Sequence, residues 1–135
     1  MPIIEALILF GFLTLMLIGM EIFYTYGTQG FLYGFSANRG PVERSPLALR
    51  IQRTYQNQVE AAAYAVPILA AAAVLGLEGA DVETAALLLI VGRVAFSLLY
   101  FTGISFIRVP AFLLGTLSTL YIAYAVATSD ALMML

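Results

Sequence analysis

The chain contains no cysteine and no histidine, and its six basic residues are all arginines, so lysine is missing too. Without cysteine there are no disulfides, no thiolate metal sites and no cysteine nucleophile. Without histidine the commonest general base and most zinc chemistry are gone, and no metal site is expected. Any reactive thiol must therefore arrive with a ligand. Charge is scarce as well: charged residues make up 10% of the 135, against 62% hydrophobic, a balance that a water-soluble domain of this size cannot hide. With a formal net charge of −2 and no basic patch, nothing points to nucleic acid. The composition places the chain in a bilayer.

What is present reads as four apolar spans in an all-α integral membrane bundle. The first, about residues 3–26, carries only Glu5 and Glu21 as charges and is long enough to cross a hydrocarbon core of ~30 Å at ~1.5 Å per residue. It lacks the positive region and small-residue cleavage site of a signal peptide and is expected to remain as a span. Glycines, prolines and charges from Gly27 to Pro46 break the helical pattern and predict a loop at the membrane surface. Ser45 before Pro46 is a helix-start signal, giving a second helix over about 47–75. A third over about 82–107 and a fourth over about 110–128 complete a single domain. Small residues such as Gly11, Gly19, Ala61 to Ala63 and Ala70 to Ala73 would permit close helix contacts. The arginines cluster around the first and third connections and in the third helix, while Glu78, Asp81, Glu83 and Asp130 lie at the opposite ends. The positive-inside rule then puts the basic loops on the cytoplasmic side and both termini away from it.

Arg50, Arg53, Asn57 and Glu60 are spaced three, four and three apart at the mouth of the second span, which gathers them into one stripe on a helix. Charges in such a place are costly unless they hold something. Taken singly, the arginines could snorkel to headgroups and the amide and carboxylate could bond other helices. Taken together, the set matches a zwitterionic peptide, with arginines for its carboxylates and Glu60 for its ammonium. In the third helix Arg93, Phe96 and Tyr100 share a second face, with Arg108 eight residues further on. Arg93 near mid-membrane requires a partner, for which Glu60 or Glu21 is expected; it is either an interhelical ion pair or a ligand contact. Tyr100 alone would be an interfacial anchor.

At these residues the chain resembles the family of membrane-associated proteins in eicosanoid and glutathione metabolism (MAPEG), which includes the microsomal glutathione transferases. The likeness runs through Arg50, Arg53, Asn57 and Glu60, then Gly92-Arg93-Val94-Ala95, Tyr100 and Arg108, and covers most of the chain. It implies a homotrimer of four-helix subunits that binds glutathione as co-substrate between neighbours near the cytoplasmic face, while a lipophilic small molecule arrives from the membrane lipids. By that likeness Arg53, Asn57 and Glu60 hold the charged ends of the tripeptide, Arg50 and Tyr100 line its site, and Arg108 is the catalytic, thiolate-stabilising group. Phe96 stands where some relatives have histidine or tyrosine, the segment Phe23 to Gly27 has no arginine, Pro67 comes late in its span, and Val109 and Phe112 replace polar groups. These departures point away from an eicosanoid synthase and toward a general glutathione transferase or peroxidase. Two readings of other classes stand beside it: a non-catalytic lipid-binding or scaffold protein, and a small proton-coupled exporter with Glu21 as its membrane carboxylate.

Overall fold

A computed structural model describes all 135 residues. The chain forms six helices and no strand: α1 (Ile3–Gln29), α2 (Phe31–Phe35), α3 (Pro46–Val74), α4 (Ala80–Thr102), α5 (Arg108–Ala127) and α6 (Asp130–Met133). α1, α3, α4 and α5 are each long and apolar enough to span a membrane.

Local chemistry explains where each begins and ends, and where the bounds differ from those expected. α1 runs past Gly27 to Gln29, because a glycine inside a helix costs only about 1 kcal/mol and does not stop it. Gly30, with φ +87°, does. The following segment, expected as loop throughout, holds the five-residue α2. α3 starts as anticipated, with the Ser45 hydroxyl accepting from the Ala48 amide at 3.1 Å and Pro46 in the first turn, where its missing N–H is no loss. α4 stops at Thr102, five residues before the expected end at 107. Gly103 takes a left-handed conformation, its N–H bonding the Tyr100 carbonyl and the Ile104 N–H reaching back to that of Leu99, which is a Schellman closure. The apolar residues 104–107 prolong the hydropathy signal but not the helix. Arg108 therefore opens α5 rather than closing α4, and Pro110 sits in the first turn of α5, where no amide is needed.

α4 packs chiefly against α5 and α1 against α3. The core they enclose is built from Phe10, Ala65, Leu69, Ala86, Leu89 and Ile122 among others. Outside it, Phe12, Leu15, Leu98, Leu117 and Leu120 are all exposed, an apolar exterior that only lipid or another membrane chain can cover. Close helix contact is made at glycines other than those expected. Gly11 and Gly19 have nothing near them, whereas a Cβ on Gly92 would lie 2.6 Å from the Gly115 amide nitrogen and 3.0 Å from the Ala111 carbonyl oxygen. Those are backbone atoms and cannot step aside. Gly92→Ala is thus expected to force α4 and α5 apart at a cost of about 1–3 kcal/mol, seen as a lowered thermal midpoint of the detergent-solubilised protein.

Candidate functional site

The spacing of Arg53, Asn57 and Glu60 along α3 and the position of Tyr100 in the last turn of α4 bring these four residues, with Gln56, around one open cleft of about 350 Å³. That volume lies within the usual range for small-ligand sites, ~300–1,000 Å³. Arg53 and Glu60 are exposed, and neither makes an ion pair or a side-chain hydrogen bond within the chain. The only salt bridges are Met1 to Glu83 and Arg44 to Glu21, both elsewhere. The cleft thus presents a free cation and a free carboxylate about two turns of α3 apart, the arrangement that a ligand bearing both charges would satisfy.

Arg108 reaches the cleft through Tyr100, its guanidinium carbon 4.5 Å from the centre of the Tyr100 ring. The reversal at Gly103 makes this contact: had α4 continued to Arg108, eight further residues would carry that side chain about 12 Å along the axis. The Tyr100 ring is held in turn edge-on to Phe96 at 5.5 Å, and Phe96 against Phe112 at 5.8 Å. Arg50 lies apart from the cleft lining, with its guanidinium against Gly103 and its Nε buried without a partner. A side chain at Gly103 would meet that guanidinium at 3.3 Å, so the left-handed turn and the arginine fit each other.

Arg93 differs from expectation in its partners. It is 1% exposed and bonds no carboxylate. Its Nη2 donates to Asn57 Oδ1 at 2.8 Å and its Nε to Gln58 Oε1 at 2.9 Å, while the guanidinium lies 5.2 Å from the centre of the Phe96 ring. Gln58 also donates from Nε2 to the Thr14 hydroxyl at 3.0 Å, so the network ties α1, α3 and α4 together. Glu60 faces the cleft instead, and Glu21 is occupied by Arg44 at 3.7 Å and by the Thr25 hydroxyl at 3.0 Å. Arg93 stands behind the cleft and holds Asn57 by its carbonyl, which leaves the Asn57 amide group free. Gln58 was not among the anticipated site residues. The signal for it is the buried seam of α3, Ile51, Thr54, Gln58, Ala61 and Ala65, where a glutamine interrupts small and apolar side chains.

Comparison with curated proteins and with solved structures gave no significant match. The model of the MAPEG family matches residues 3–128, nearly the whole length, and the chain belongs to that family of membrane proteins, which includes glutathione transferases and related enzymes.

Proposed function

We propose that the protein is a membrane glutathione transferase that conjugates the tripeptide to lipophilic electrophiles. The observation that carries this reading is the cleft itself, where Arg53 and Glu60 stand unpaired beside Asn57 and Tyr100, with Arg108 stacked on the tyrosine. The donor set fits the ligand. Arg53 forks onto a carboxylate, Glu60 accepts from the γ-glutamyl ammonium, and the free amide of Asn57 donates to a carbonyl or carboxylate oxygen.

Glutathione brings the thiol that the chain lacks, and its sulfur forms a bond to the electrophilic carbon as the leaving group departs with the bonding pair. The role of Arg108 is to hold the sulfur as thiolate. A free thiol has a pKa of ~8.5 and an adjacent cation lowers it, while a guanidinium keeps its charge at any working pH. The cleft is open on the surface of a single subunit and leaves Arg53 and Glu60 exposed there, charges that the hydrocarbon of a bilayer does not satisfy. A neighbouring subunit would close it, which supports a homotrimer with the site between copies, facing the cytoplasm by the distribution of arginine.

Titration of the purified protein with glutathione, followed by thiolate absorbance, tests the reading. Saturable binding is expected. Arg53→Ala and Glu60→Gln should each weaken it roughly tenfold to a hundredfold, as loss of one charged hydrogen bond implies. Absence of saturable binding in the unmodified protein would sink the proposal.

A further inference from the structure

α2 carries its apolar side chains outside the bundle. Phe31, Leu32 and Phe35 are 69%, 88% and 80% exposed. The orientation that exposes them is fixed by named contacts. Gly34 lies beneath the Tyr26 ring, where any Cβ would collide with it, and the Tyr26 hydroxyl donates to the Gly34 carbonyl at 3.4 Å. Arg39 donates to the same carbonyl and lies 5.6 Å from the centre of the Tyr33 ring. The polar contacts of α2 are thus turned toward its own chain, while Phe31 and Phe35 touch the Tyr26 ring, with ring centres 6.0 and 6.4 Å away, and leave most of their surface, with that of Leu32, open.

Depth decides what meets that face. Only Gly30 separates α2 from α1. The 27 residues of α1 extend about 40 Å, more than the ~30 Å of hydrocarbon but no more than the ~40–45 Å of the whole bilayer, so a span set symmetrically across it ends in the headgroup zone. That placement sets α2 at the boundary between acyl chains and headgroups. Phe23 near the end of α1 and Phe106 and Ile107 between α4 and α5 are exposed at the same end of the bundle, so the apolar face continues the lipid-covered exterior. Arg39, exposed beside it, supplies the positive charge that phospholipid phosphates complement.

We infer that α2 is an in-plane membrane anchor, which inserts Phe31, Leu32 and Phe35 among the acyl chains of the phospholipid leaflet bordering the cleft. The inference does not depend on the identity of the cleft's ligand. An anchor there fixes the height of the connection between α1 and α3, and so the level at which the first turns of α3 meet the leaflet.

The chain has no tryptophan, so a single one reports its own surroundings. Phe31→Trp and Phe35→Trp, each in the full chain reconstituted into phosphatidylcholine and phosphatidylglycerol vesicles, should emit at blue-shifted wavelengths. Emission should fall more with lipids brominated just below the headgroup than with lipids brominated near the chain end. Val91→Trp, exposed at the middle of α4, should show the reverse order and calibrates depth. Red-shifted emission quenched by aqueous acrylamide would place the face in water and overturn the inference. Blue emission insensitive to both brominated lipids would mean that protein covers the face, and would overturn it equally.

Discussion

Arg108→Ala should raise the pKa of bound glutathione by a unit or more, toward the free-thiol value of ~8.5. Each unit corresponds to about 1.4 kcal/mol, so turnover with a generic electrophile at neutral pH should fall roughly tenfold or more. The sign follows from which form the cation favours. A guanidinium at the sulfur stabilises the thiolate, so removing it shifts the rising limb of the pH profile of kcat/KM to higher pH, and activity recovers as pH increases. Saturable glutathione binding should persist, because Arg53 and Glu60 are left in place. Arg108→Lys separates charge from geometry: it keeps a cation but loses the guanidinium that lies 4.5 Å from the centre of the Tyr100 ring, and should fall between the two. An Arg108→Ala protein with an unchanged pH profile would remove Arg108 from the chemistry.

The second large effect is expected at Arg93. Arg93→Leu leaves the carbonyl oxygens of half-buried Asn57 and fully buried Gln58 without their donor, and an unsatisfied buried group such as that of Gln58 costs about 1–3 kcal/mol. Relief of the desolvated charge acts in the opposite sense. A double variant, Arg93→Leu with Gln58→Leu, distinguishes these contributions: it removes both sides of one buried hydrogen bond and should unfold at a higher temperature than Arg93→Leu alone. Glutathione affinity should fall in both, because Asn57 loses the hydrogen bond that orients it toward the cleft. Thermal unfolding in detergent and ligand titration together read the two consequences; a single variant as stable as the parent would show the network to be dispensable.

The four spans were legible because twenty or so apolar residues between charged or glycine-rich breaks have few alternatives. The convergence of Arg53, Asn57 and Glu60 on one face was legible for a different reason, since spacing alone sets the face of a helix. α2 escaped notice because five residues carry no periodic signal, and the end of α4 was misplaced because an apolar stretch looks the same before and after the backbone turns at Gly103. Partners were the least readable. Whether Arg93 meets a carboxylate or two amides depends on how α1, α3 and α4 are rotated about their axes, and hydropathy says nothing of rotation. The same ignorance hid Gly92 and Gly115: many small residues were candidates for close contact, and only the packed bundle shows which two helices approach there.

Hydrogen bonds to two amides hold Arg93 at Nε and Nη2, leave Nη1 buried without a partner, and do not cancel its charge. The interior of the bundle thus retains one net positive charge, set one hydrogen bond behind the cleft in a medium that mobile counter-ions do not enter. Its field extends to any anion resting against Asn57, and the ionic strength of the surrounding solution attenuates that attraction far less than it would that of an arginine on the open surface.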